Sequence, residues 1–165
     1  MPTKLIATQR YAAPPAAVYA LFGDRSFIEA RLEASGGLDP EIVSHVPAAD
    51  GGLDIVTRQG IPASVLPSIV SSFISGDPST QRSESWRTAA DGFTADLKVT
   101  IHGAPASLKG TITLTADADG SLLTVNADAA VPIPMFGGKI EKVIVEQVSE
   151  LFAREEKFTQ GQLAG

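Results

Sequence analysis

The stretch FTADLKVTIHGAPASLKGTITLTADADGSLLTVNADAAV, Phe93 to Val131, runs directly into PIPMFGGKIEKVIVEQVSELFAREEKFTQ, Pro132 to Gln160, and the pair decides the fold. In its first part Phe93, Ala95, Leu97, Val99 and Ile101 alternate with Thr94, Asp96, Lys98, Thr100 and His102, and Leu108, Ile112 and Leu114 alternate with Lys109, Thr111, Thr113 and Thr115. Successive side chains of a strand point to opposite faces, so this pattern predicts antiparallel strands with one face in water and one covered. The strands are expected at Phe93–Gly103, Ala106–Ala116 and Leu122–Val131. Asp91-Gly92 and Asp119-Gly120 are hairpin-turn pairs, and Gly103-Ala104-Pro105 is a weaker turn signal. The cover comes from the second part, where Gly138 to Gln160 reads as a helix about 35 Å long. Ile140, Ile144, Val148, Leu151 and Phe158 fall within about 80° of arc, with Lys142, Glu146, Ser149, Ala153 and Lys157 opposite. Glu150 and Arg154 are spaced for an i,i+4 pair on the polar side, and Gly161 is expected to stop the helix.

Working toward the N-terminus, Gln81–Ala89 reads as another strand, and Glu41–Val46 and Leu53–Gln59 as two more joined across Asp50-Gly51-Gly52. Thr3–Tyr11 alternates as a first strand until Pro14-Pro15. Pro15 then suits the start of a helix carrying Val18, Leu21 and Phe22, which Gly23 breaks. Asp24 can cap a second helix with Phe27, Ile28 and Leu32 on one side, ended by Gly36-Gly37. Between Ile61 and Pro78, Pro67 could open a short helix with Ile69, Val70, Phe73 and Ile74 on one face, or the segment is an irregular loop; it is a candidate lid. The expected fold class is α+β: a curved antiparallel sheet wrapped around a long C-terminal helix, with two short helices after the first strand. At 165 residues a single domain spanning 1–165 can bury roughly 70% of its unfolded surface.

Composition narrows the function. A formal charge of −6 with only 13 scattered Lys and Arg argues against nucleic acid and against anionic membrane surfaces. The absence of Cys removes disulfides, thiol nucleophiles and the usual zinc motifs. Neither a signal-peptide h-region nor an apolar run of ~18 residues is present, so no stable membrane insertion is expected and the cytoplasm is the simplest compartment. No HExxH stands in the chain and the carboxylates lack metal-ligand spacing, so no metal or cofactor is expected. Phe136-Gly137-Gly138-Lys139 departs from a phosphate loop at Ile133 and Ile140 and reads as the turn into the helix.

The order of elements is similar to that of the START-like, or Bet v 1-like, helix-grip superfamily (SRPBCC). Locally, APPAAVYALFGD (Ala13–Asp24) resembles the opening helix of its polyketide cyclase and lipid-transport members, and RSFIEARLEASGG (Arg25–Gly37) resembles the second helix. VPIPMFGGKIEKVIVEQV (Val131–Val148) resembles the approach to the last helix in an uncharacterised actinobacterial family of that superfamily. The resemblance covers nearly the whole chain. It implies an elongated cavity between helix and sheet for lipid-, sterol- or polyketide-like molecules, and it carries over no catalytic residues.

Candidate ligand contacts are therefore read from the residues themselves. From loop and sheet they are Phe73, Trp86, Arg87, Leu97 and Val99; from the helix they are Ile144, Gln147, Val148 and Leu151. Trp86 is equally a core residue, and Arg87 a surface one. Gln147 sits near the apolar stripe and needs either a pocket or a structural hydrogen bond. Glu155 also lies there, with the last turns expected to carry it into water. His45 and His102 are expected in solvent, and Tyr11, Tyr19, Glu84 and Glu155 are the modest acid–base candidates. The leading expectation is binding or carriage of a small apolar ligand. The alternatives are a polyketide cyclase or dehydratase-like enzyme and an interaction module with a collapsed cavity. A cavity of about 300 Å³ or more would favour a ligand, and an inward ionisable group beside it would favour the enzyme.

Overall fold

The computed structural model describes residues 2–62, 64, 66, 68–72 and 78–164, with Ile69 described by backbone alone; Phe73 and Ile74 lie outside the described residues. Seven strands form one antiparallel sheet: β1 (Thr3–Tyr11), β2 (Leu38–Pro47), β3 (Leu53–Gly60), β4 (Ser79–Ala89), β5 (Gly92–His102), β6 (Ser107–Asp117) and β7 (Gly120–Ala130). Their lateral order is β1-β7-β6-β5-β4-β3-β2. From β2 to β7 each strand lies beside its successor. β1 alone crosses the chain to pair with β7, Thr3 opposite Ala129 and Tyr11 opposite Ser121.

Helices α1 (Pro15–Phe22) and α2 (Arg25–Ala34) follow β1, α3 (Ser68–Ser71) is a single turn, and α4 (Gly137–Ala164) is the long C-terminal helix. Pro15 occupies the start of α1, where its missing N–H costs nothing, and the Asp24 carboxylate accepts the Ser26 N–H at 2.9 Å to cap α2. α4 does not stop at Gly161. That glycine is exposed, and its penalty of ~1 kcal/mol is offset by the extra turn, which brings Leu163 against the core.

The two hairpin glycines act one residue later than the turn pattern implies. Ala90-Asp91 and Ala118-Asp119 form the connections, while Gly92 and Gly120 pair in the strands. A Cβ at Gly92 would stand 2.0 Å from the Leu114 carbonyl oxygen, and one at Gly120 would stand 2.0 Å from that of Tyr11. What these positions require is close backbone approach by the neighbouring strand.

The inward face of the sheet carries Leu5, Ala95, Leu97, Leu108, Ile112, Leu114 and Val125, which meet Val18, Phe22, Phe27 and Ile28 of α1 and α2 and Phe152 of α4. α4 runs along β1. Glu141 near its start accepts from the Thr3 hydroxyl (2.8 Å) and from the Val131 N–H (2.9 Å), and Glu156 near its end accepts the Arg10 N–H (2.6 Å). Those bonds fix one flank of the helix, so its apolar stripe turns toward β3, β4 and β5. His45 is half-buried: its Nε2–H donates to the Phe22 carbonyl at 2.9 Å and ties β2 to the end of α1. His102 is exposed.

Candidate functional site

A cavity of about 190 Å³ lies between α4 and the far wall of the sheet. The helix contributes Ile140, Ile144, Gln147, Val148, Leu151 and Arg154. Across from them stand Gln59, Thr80 and Ile101, which are consecutive lateral neighbours in β3, β4 and β5. The β5–β6 turn supplies Ala104 to Ala106, and Leu66 and Val70 from the segment around α3 close over one side. Val70 packs there with Val131 and Ile140 in a small second core. Ile144, Val148 and Leu151 are partly buried: they line this space, and Ile144 and Val148 also pack against the main core.

Four of the expected contacts, Ile144, Gln147, Val148 and Leu151, stand together on this wall. The others stand elsewhere. Leu97 is fully buried in the main core and Val99 is half-buried against it. Trp86 is sealed in an aromatic group with Tyr19 (centroids 5.8 Å apart) and Phe22 (5.5 Å), and its indole N–H donates to Glu84 at 2.8 Å. Arg87 is on the outer face, 3.3 Å from Asp96 with both side chains more than half exposed. Phe73 lies outside the described residues.

The inward guanidinium of β4 is Arg82, which shares the parity of Trp86. It belongs to a buried cluster of four charges drawn from three elements. Arg82 stands 2.6 Å from both Glu84 and Glu155, and Arg31 of α2 approaches Glu155 at 3.9 Å and Glu84 at 4.0 Å. Glu155 is thus buried rather than carried into water, with its side chain only 7% exposed. Burial by itself would raise the Glu155 carboxyl, but Arg82 and Arg31 prevail and hold it below the ordinary carboxylate value. Burial likewise opposes charge on Arg82, and the two carboxylates more than restore it. Aromatic faces add to the cations' stabilisation: Arg82 lies 4.9 Å from the Phe152 ring centre and Arg31 5.5 Å from that of Phe22. Beside the cluster the Tyr11 hydroxyl donates to Gln9, whose amide donates to the Phe152 carbonyl at 2.9 Å, and burial pushes the Tyr11 phenol up.

The cluster borders the cavity on all three elements. Arg31 is one turn from Ser35, Arg82 one strand repeat from Thr80, and Glu155 one turn from Leu151, the latter of each pair lining the cavity. The cluster residues themselves do not line it. Tyr11, Glu84 and Glu155 are therefore committed to partners inside the protein, and the Tyr19 hydroxyl donates to the Gly51 carbonyl at 2.7 Å. Among the described residues, Arg154 is the one ionisable group on the cavity wall. The sequence pairs it with Glu150, yet no ion pair joins the two in the structure. Ser35 and Gln59, whose side chains stand 2.8 Å apart, are polar wall residues that sequence reasoning missed. They occupy the ends of α2 and β3, where periodicity no longer marks a face.

A long helix gripped by an antiparallel sheet, with two short helices after the first strand, is the helix-grip fold of Bet v 1-like and START-like proteins. Solved structures with this arrangement include TTHA0849 from Thermus thermophilus (TM-score 0.63, 18% identity, covering 97% of this chain and 99% of that one). Ara h 8.0201 (TM-score 0.59, 12% identity, 98% and 99% covered) and a START superfamily protein from Mycobacterium smegmatis (TM-score 0.53, 17% identity, 96% and 95% covered) share it. The chain belongs to the family described as "Protein of unknown function (DUF2505)", whose model matches residues 7–163. The uncharacterized proteins Rv0481c of Mycobacterium tuberculosis and Mb0491c of Mycobacterium bovis are each 36% identical to it over 113 residues, 67% of this chain and 65% of theirs. The match thus spans just under two thirds of these relatives. Among the described residues no helix is long and apolar enough to cross a membrane.

Proposed function

We propose that this protein binds a small, largely apolar molecule in the cavity between α4 and the sheet. The observation that carries the reading is the partly buried row Ile144, Val148 and Leu151, which lines an apolar cleft between α4 and the sheet. A fully apolar stripe left facing water would forfeit its burial free energy, and a ligand restores it. At about 190 Å³ the space takes only a short part of a ligand. This is smaller than the roughly 300 Å³ of a typical small-molecule pocket, and it favours a compact acyl group over a sterol. The ionisable groups suited to acid–base work are tied up in the cluster, so the wall supports binding rather than cyclase-like chemistry.

Val148→Trp tests the reading. The indole should enter the cavity, so stability should fall by less than the ~1–3 kcal/mol typical of overpacking, while binding of an apolar fluorescent probe is lost. A large fall in melting temperature would mean that the region is close-packed and holds no ligand. A variant that is stable and still binds the probe would place the ligand elsewhere. Duplex DNA at physiological salt should displace no probe from the wild-type protein, given its charge of −6.

A further inference from the structure

We propose that the cavity's ligand is an apolar acid, its short acyl tail lying along Ile144, Val148 and Ile101 and its ionised carboxylate held between Arg154 and Gln147. This rests on the reading of the cavity as a ligand site and assigns the polar end of that ligand.

Arg154 and Gln147 are seven residues apart on α4, two turns along one face and about 10 Å in rise. Both line the cavity. Helical side chains lean toward the N-terminus, which directs Arg154 back along the cavity-facing side of α4 toward Leu151. Neither side chain makes a hydrogen bond or ion pair to another described residue. A half-buried amide and an exposed guanidinium with five N–H donors thus stand on one wall of the cavity, available to an acceptor.

The charges point the same way. Arg31 and Arg82 are balanced by Glu84 and Glu155, with Glu155 already 2.6 Å from Arg82 and 3.9 Å from Arg31. Glu155 also feels the positive charge of Arg154, its sequence neighbour, but no ion pair joins the two among the described residues. The other polar groups of the wall serve one another: the Ser35 hydroxyl bonds to the Gln59 side chain, and the Thr80 hydroxyl donates to the Gln59 carbonyl. The remainder is apolar, and Ile101, Ala106, Val131, Ile133 and Ile140 offer nothing to a second polar group. A phosphate head fits less well. It would bring about two charges to one guanidinium, in the C-terminal half of a helix, where the backbone dipole is negative. A carboxylate matches the planar fork of a single arginine.

The test uses the full-length protein with an apolar fluorescent probe, displaced at pH 7 by octanoate or by octan-1-ol, which share a tail and differ in the head. Octanoate should displace the probe at about tenfold lower concentration than the alcohol, as expected for a charge-assisted hydrogen bond in a partly sheltered site. In Arg154→Gln that advantage should shrink to within about twofold, the loss falling mainly on octanoate, and Arg154→Lys should keep part of it. Arg154 is exposed, so both variants should melt with the wild-type protein. Equal potency of acid and alcohol on the wild-type protein, or an acid preference that survives Arg154→Gln, overturns the carboxylate assignment and leaves the ligand site standing. Failure of the probe to bind, or of both compounds to displace it, overturns the ligand site itself and the assignment with it.

Discussion

Glu155→Ala is expected to destabilise the protein by about 3–5 kcal/mol, a large share of the ~5–15 kcal/mol that holds a domain together. The substitution leaves Arg31 and Arg82 buried against the single carboxylate of Glu84, and the penalty is that of an uncompensated charge removed from water. The pair Arg82→Met with Glu155→Leu should restore most of the loss, because Arg31 and Glu84 remain balanced and apolar groups fill the space. Urea unfolding at pH 7 measures both. A single substitution costing under about 1 kcal/mol, or a double variant as unstable as the sum of its parts, would show that the cluster is solvated. The pH dependence has a definite sign. Arg82 and Arg31 hold the Glu155 carboxyl below its ordinary value of 4.5, so the stabilisation is complete above that value and is lost as pH falls through the depressed one. The double variant should lose less stability on acidification below about pH 4.5.

Removing residues 137–165 should abolish cooperative folding altogether. α4 supplies Ile140 and Phe152 to the cores, each worth about 1.5–3 kcal/mol of burial, and also the Glu155 carboxylate. It further carries Glu141 and Glu156, which bind the start and end of β1. These contributions together reach the whole stability of an ordinary domain. Circular dichroism on heating should show no sigmoidal transition. A truncated chain that melts near the full-length midpoint would mean that the sheet does not depend on the helix it surrounds.

The fold was legible because its two periods are clean. Alternation over Phe93–Ile101 reports burial directly; on α4 the stripe from Ile140 to Phe158 was read part of a turn off, since only Ile140 of its five residues is buried and the buried side also carries Glu141, Phe152, Glu155 and Thr159. The candidate site was legible only where it shares that stripe, at Ile144, Gln147, Val148 and Leu151. On β4 both parities carry charge, so sequence cannot choose between Arg82 and Arg87; the choice rests on a carboxylate 73 residues away, at Glu155 on α4. Arg31 carried a signal, since it follows Phe27 by four residues and Ile28 by three and so lies on the apolar side of α2. That spacing marks a buried cation without naming its partner. Gly161 shows the reverse case, where a strong local stop signal yields to packing further along the chain.

The pairing of β1 with β7 governs when this protein can become itself. The strands from β2 to β7 join neighbours through short connections and can assemble as successive hairpins, but Thr3 meets Ala129 only after some 120 residues have been made. At about 5–20 residues per second that is roughly 6–24 s of synthesis, during which Leu5 has no sheet to enter and the free edge of β7 has yet to exist. α4 arrives later still, and with it the second carboxylate that, together with Glu84, neutralises Arg31 and Arg82. The entropy of so long a closure grows only as the logarithm of its length, so the delay costs little in final stability. Its cost is exposure: a nascent meander with an open edge and an apolar face must stay unpaired with other chains until its own last helix is released.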